Sequence, residues 1–257
     1  MASLAQLADY LDRTLDIANV PDYPSAVNGV QLANVGDIEH VATAVDFSSA
    51  TVAGTVESGA RMLLVHHGMF WGSAQPITGH RHERLRALIT NDVAVYSAHL
   101  PLDIHPQLGN NRLLAQRLGL TPSGGFARYQ NIDVGLSGTS EVPTARLVQS
   151  AGELAREFGG VLVTTPFEND RTTRAWGICT GAGADSSTLR EAVQRGLDTL
   201  IVGEGPHHTA VEARELGIVV LYAGHYATET LGVRALGDVL AARFNVTTTF
   251  IDAPTGL

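Results

Sequence analysis

The sequence predicts an α/β protein of two pseudo-repeated α/β halves, with mixed sheets and helices packed outside them. Apolar, β-rich runs alternate with segments of helical period almost throughout, the pattern of a layered α/β fold. The length, 257 residues, exceeds a common single domain of about 100–200 residues. Two stretches also repeat one order of elements. VATAVDFS leads through a helix to RMLLVHH and then through RLRALITNDVAVYSAHLPLD; WGICTGAG leads through LREAVQRG to DTLIVGE and then through AVEARELGIVVLYAGHYATE. Each ends in a His followed four residues later by a carboxylate. We read this as an internal duplication, although βαβ units resemble one another without common origin. The expected halves are 1–125 and 126–257, intimately packed, with TPSGGFARYQ (121–130) as the best linker between them. Their strand ends would face a shared crevice.

Taken in order, Leu4 to Leu15 reads as a first helix. Strands are expected at Val41 to Phe47, Met62 to Val65, Val93 to Ala98, Ile132 to Leu136, Val161 to Thr164, Trp176 to Thr180, Thr199 to Val202, Val219 to Tyr222 and Val246 to Ile251, where apolar and β-branched residues concentrate. Helices are expected near 49–59, 82–90, 108–118, 143–157, 186–195, 208–216 and 229–243, where the period changes.

Charge and composition then exclude several classes. Hydrophobic residues at 44% and charged ones at 17% describe a globular protein. No apolar run approaches the roughly 18 residues of a membrane span. The start, MASLAQLADYLDR, lacks a basic region and carries Asp9 in its apolar stretch, so a cytoplasmic location is expected over secretion. The lone Cys179 cannot form an internal disulfide, which agrees. The net charge of −9 is opposite to what a nucleic-acid groove requires. All 17 bases are Arg. Without Lys, a Schiff-base mechanism and a Walker-type phosphate site are both excluded. The 10 His are left as the main candidates for chemistry.

His66, His67, His99, His207, His208 and His225 lie at or just after the C-terminal end of an expected strand. In open α/β sheets that edge binds ligands, because its loops carry polar groups while the strands fix their position. Neighbouring strand residues point to opposite faces, so His66 and His67 at a strand terminus could each reach a different ion. That favours a dinuclear centre, with ions ~3.5–4 Å apart; the alternative is a pair of ordinary loop histidines. In AGHYATE (223–229), a helix starting near His225 would put Glu229 one turn away on the same side, and a carboxylate can bridge two cations. SAHLPLDIHPQLGNN (97–111) supplies Asp103 after a Pro-rigidified turn, as a ligand or as the cap of the next helix. Glu204 and His208, in VGEGPHH, are candidates for substrate contact or proton transfer. His80 and His82 read as an exposed helix face, GICTGAG fits no phosphate-loop spacing, and Cys179 reads as a buried small hydrophobe. Trp71, just past the His pair, would either line a site entrance or pack.

Together, HHGMFW, SAHLPLDIHPQLGNN, GHYATETLGVRAL and the early NGVQLAN (28–34) resemble the family of dinuclear-metal proteins related to NGG-one-interacting factor three, often labelled GTP cyclohydrolase I type 2 homologues. The resemblance runs from Asn28 to Asp252 and matches the short, bacterial-type form without an inserted domain. It implies two divalent metal ions per chain in the crevice between the halves. His67 and Asp103 would hold one, His66 and His225 the other, and Glu229 would bridge them. It also implies a ring-shaped homohexamer with the metal sites facing an internal cavity. His99 matches His225 by the duplication but is not a ligand in the family pattern, so we place it beyond direct coordination, orienting a ligand or a water. A His and carboxylate set without thiolate suits Zn, Mn, Fe, Co or Ni. The leading expectation is a metal-dependent hydrolase acting on a small molecule, with ring-opening hydrolysis of a nucleotide such as GTP suggested by the family label. The alternative is a non-enzymatic metal-binding or scaffold protein. Neither a nucleic-acid nor a membrane partner is expected.

Overall fold

The computed structural model describes residues 2–71 and 75–257. In chain order the elements are α1 (Leu4–Thr14), β1 (Gly29–Leu32), β2 (His40–Asp46), α2 (Ser49–Glu57), β3 (Met62–His67), α3 (Gly79–Thr90), β4 (Ala94–Ser97), α4 (Leu100–Asp103), α5 (Asn110–Arg117), β5 (Gly124–Tyr129), β6 (Ile132–Pro143), α6 (Thr144–Glu157), β7 (Val163–Thr164), β8 (Thr172–Cys179), α7 (Ser186–Gln194), β9 (Thr199–Val202), α8 (His207–Glu215), β10 (Val219–Tyr222), α9 (His225–Phe244) and β11 (Thr247–Phe250). They divide into two compact units, Met1–Leu102 with Gly232–Ala253, and Asp103–Leu231 with Pro254–Leu257. The first boundary falls at Leu102/Asp103, the segment Gly232–Ala253 returns to the first unit, and Pro254–Leu257 belongs to the second. The return is a strand pairing: β11 lies parallel to β2, with Thr247 opposite His40 and Phe250 opposite Thr43.

The first unit holds a sheet of order β1-β4-β3-β2-β11, mixed because β1 alone runs antiparallel to its neighbour. β3 shows why the order arises: MLLVH is buried at every position, the continuous apolar run of a parallel strand covered on both faces. α2 crosses from β2 to β3 and α3 from β3 to β4. Ser48 caps α2 with a capping box, closing donors that the first helical turn leaves open. Ala42, Ala44, Val52, Leu63, Val65, Leu88 and Val95 form one core between sheet and helices. Truncating Leu63, 0% exposed, would cost about 2–5 kcal/mol.

The second unit holds a sheet of order β5-β6-β8-β9-β10-β7, also mixed. Its core joins Phe126, Leu189, Leu200, Val202, Ala213 and Val220. The segment expected as a linker is strand β5, since Phe126 enters that core and Gly124 to Tyr129 pair with β6. The duplication is visible as topology. In the first unit α1 and β1 precede the parallel run β2-α2-β3-α3-β4, and β1 pairs antiparallel with β4. In the second, α6 and β7 precede β8-α7-β9-α8-β10, and β7 pairs antiparallel with β10. Among the described residues, no helix is long and apolar enough to cross a membrane.

Candidate metal centre

In the first unit the chemistry gathers where β2, β3 and β4 end. β3 closes on His66 and His67, and β4 on Ser97, two residues before His99. His66 is 0% exposed, and its Nδ1 lies 2.8 Å from the Ala98 carbonyl. A carbonyl oxygen only accepts, so Nδ1 donates, and the buried Nε2 is the ring nitrogen left to serve as a ligand atom. His67 repeats the device with Asp46, its register partner at the end of β2, whose Oδ1 lies 2.8 Å from Nδ1. His99 repeats it with Asp22, at 2.8 Å. Asp22 is itself held: Asn28 Nδ2 donates to its other oxygen at 2.8 Å, as does the Leu100 amide at 2.9 Å. Burial, the largest influence, pushes the Asp22 carboxyl up, but the bond and charge of His99 with the bonds of Asn28 and Tyr23 outweigh it, so its pKa is lowered. Asn28 also accepts from the His99 backbone amide at 2.7 Å. One ligand atom from each of His66, His67 and His99 lies within 4.8 Å of the others, so the strand end lets the neighbouring rings converge despite the alternation of a strand.

In the second unit Asp103 ends α4, Gly181 follows β8, Glu204 follows β9, and His225 opens α9 just past β10. Asp103 is 5% exposed; its Oδ1 accepts from Asn110 Nδ2 at 2.8 Å and from Thr180 Oγ1 at 3.4 Å. It does not cap the next helix, because α5 starts at Asn110 behind Gly109. Asn111 holds the same corner, donating to the Asp103 carbonyl at 3.3 Å and accepting from the Thr180 amide at 2.9 Å. His225 Nδ1 lies 2.8 Å from Glu204 Oε1, again leaving Nε2 to face a ligand, and Nε2 lies 3.1 Å from Glu229 Oε2 one turn along α9. Burial pulls the His225 pKa down, but Glu229 and Glu204 together outweigh it and carry it up to about 9. Glu229 is 3% exposed. Gly181, at φ +63, makes room for it: a Cβ there would stand 2.1 Å from Glu229 Oε1. Burial, then the charges of Asp103 and Glu229, push the Cys179 thiol up, which keeps it a neutral buried side chain.

These donor sets fit a divalent cation. Buried carboxylates on the same side of a unit repel without one, and an imidazole whose Nδ1 is tied to an oxygen is oriented as metal ligands are. The sequence reading missed Asp22, Asp46 and Gly181, which act on the named residues from elsewhere in the chain. It named Glu204 for substrate contact or proton transfer; the structure sets it behind His225 as that ring's acceptor. His208 is exposed on α8, and the structure brings it to none of the other candidates. His80 and His82 are exposed on α3, as expected. Trp71, 37% exposed, meets His99 edge-on with ring centroids 4.8 Å apart.

The family model for Duf34/NIF3 (NGG1p interacting factor 3) matches residues 2–256. The chain belongs to the NIF3 family. Two curated NIF3 relatives are each named "GTP cyclohydrolase 1 type 2 homolog". That of Halobacterium salinarum is 42% identical over 98% of this chain and 99% of its own length. That of Deinococcus radiodurans is 38% identical over 98% of this chain and 94% of its own. The solved structure of protein ybgI, described as of unknown function, superposes with a TM-score of 0.88 at 32% identity, covering 99% of this chain and 100% of that one. The family match therefore runs over residues 2–256, and His and carboxylate groups able to hold metal lie within it.

Proposed function

We propose that this NIF3-family protein holds two divalent metal ions with His66, His67, Asp103, His225 and Glu229, Glu229 bridging, and that it is a hydrolase of a small molecule. The observation that carries this reading is the orientation of His66, His67 and His225, each with Nδ1 tied to an oxygen acceptor and Nε2 left as a donor atom; His99 shares that orientation, and it is the family resemblance that sets it apart from the ligands. When bound, such ions supply Lewis acidity, lowering the pKa of a water and polarising the bond under attack. The chain's own residues do the rest. Asp46 and Glu204 hold His67 and His225 in their tautomers, and Gly181 keeps the place of Glu229 open. His99, fixed by Asp22 and Asn28, stands beyond the ligands as an orienting and proton-carrying imidazole. His208, exposed on α8, is assigned to substrate contact.

A His and carboxylate donor set without thiolate suits Zn, Mn, Fe, Co or Ni and disfavours metals that want sulfur. The names of the relatives supply the reaction to test first, ring-opening hydrolysis of GTP. We assign the working form as a cytoplasmic, ring-shaped homohexamer, read by light scattering on a sizing column. The deciding experiment screens nucleotides, phosphoesters and cyclic amides with protein freed of metal and then restored. Hydrolysis that appears only on restoration supports the proposal. Metal bound with no turnover on any class would favour the scaffold reading.

A further inference from the structure

A cavity of about 550 Å³ lies within the first unit, large enough for a small organic ligand. His67 and its partner Asp46 line it together with Trp71, Phe70, Arg81 and Arg84. Phe70 and Trp71 are large aromatic side chains left 47% and 37% exposed, an arrangement that offers faces for a planar ring. Arg81 and Arg84 stand on the first turns of α3. Arg84 is half-buried: Nη1 donates to the Phe47 carbonyl at 3.0 Å and Cζ lies 4.9 Å from the Phe47 ring centroid. Its Nε is buried with no hydrogen-bond partner among the described residues. Among those residues no carboxylate pairs with Arg81 or Arg84, although acids outnumber bases 26 to 17 in the chain. The pair disfavours its own charge, since burial and then the neighbouring Arg81 lower the Arg84 pKa. Asp46, the acid that lines the cavity, is taken up by His67.

The cavity walls are also held rigidly. Gln31, from the NGVQLAN segment, donates to the Val27 carbonyl at 2.8 Å and accepts from the Met69 amide at 2.6 Å, so one side chain ties two walls together. Gly68 permits this, because a Cβ there would stand 2.3 Å from the Gln31 amide. Val27 sits at φ +42, a conformation a β-branched residue rarely adopts and one that tends to persist at ligand sites.

We propose that this cavity is the substrate's recognition subsite and takes a small organic oxyanion: a phosphate or carboxylate on Arg81 and Arg84, a planar ring against Trp71 and Phe70, and the reacting bond toward His67. The word substrate rests on the function proposed above; the anion site does not. A guanidinium pair left without a carboxylate gains most from a ligand that supplies one negative group to both.

Tryptophan fluorescence tests it, since the chain has two tryptophans and Trp176 is fully buried. Full-length protein, as purified and after chelator treatment, is titrated with phenyl phosphate, benzoate, inorganic phosphate and neutral benzyl alcohol. A saturable change with phenyl phosphate or benzoate is expected, the tighter of the two identifying the anion source, with inorganic phosphate weaker and benzyl alcohol weaker still. Arg81→Gln, at a solvent-reaching position, and Arg84→Gln should each weaken binding by about 10-fold or more. Equal binding by wild type and both variants, benzyl alcohol binding as tightly as the anions, or no saturable signal with any anion would overturn the proposal. Anion binding by a protein that takes up no divalent metal even when it is supplied would sink the metal-dependent hydrolase reading and leave the subsite standing.

Discussion

Replacing Gly181 with Ala should remove metal while leaving the protein folded. The new Cβ would stand 2.1 Å from Glu229 Oε1 and 3.2 Å from His225 Nε2, whereas ordinary contact begins at 3.4 Å. The carboxylate oxygen must therefore recede by 3.4 − 2.1 = 1.3 Å. That atom ends a flexible side chain, so the fold can yield by moving Glu229 and not by moving backbone. Metal ligation tolerates only about ±0.2 Å, so the displacement should fall on binding. The residue also sits at φ +63, where an L side chain costs roughly 1–2 kcal/mol. At about 2–4 °C per kcal/mol for a chain of this size, Tm should drop by roughly 2–8 °C. Metal affinity, read by competition with a chromophoric chelator, should fall by at least ~10–100-fold. Wild-type metal affinity in Gly181→Ala would refute the claim that the Glu229 carboxylate must occupy its observed place.

Other outcomes follow from the same geometry. His66→Ala should lose metal occupancy, whereas His99→Ala should keep metal and lose turnover by ~10–100-fold, as expected for a group that orients a ligand or water; the reverse pattern by metal titration would make His99 the ligand. Asp46→Ala and Glu204→Ala, which release His67 and His225, should each weaken metal binding by ~10–100-fold without changing the number of ions at saturation. Asp185 caps α7 through bonds to Ser187 and Thr188, which outweigh burial and lower its pKa from 3.8. Asp185→Ala should cost about 1 kcal/mol at neutral pH. Because the folded pKa is depressed, that contribution is present above the unfolded value and is lost as pH falls through the folded one, so the gap in denaturant midpoints should close below 3.8; a gap independent of pH would assign the loss to helix propensity.

The ligand candidates were legible because their signals are local: two His end a strand, and His225 and Glu229 are one helical turn apart. What holds them was not. Asp22 meets His99 across 77 positions and Asp46 meets His67 across 21, and no spacing rule announces either pair. The strand β5 was hidden by its Gly-rich start, which reads as a turn until Phe126 is seen to enter a core. The division into units was hidden by β11, whose place beside β2 is set by pairing across 207 positions, as between His40 and Thr247. The duplication, by contrast, was visible, because repeated strand-helix order and the returning His-x-x-x-carboxylate survive in sequence even where β5, β6 and β11 break the symmetry.

Metal counting tests the central claim most directly. Protein purified without chelator, and its Glu229→Ala variant, should be analysed by plasma mass spectrometry against protein concentration, with circular dichroism confirming that both are folded. The account predicts two divalent ions per wild-type chain and neither in Glu229→Ala, because the bridging carboxylate is the ligand common to both. Two ions retained by the variant, or none taken up by wild type when divalent metals are supplied, would contradict it.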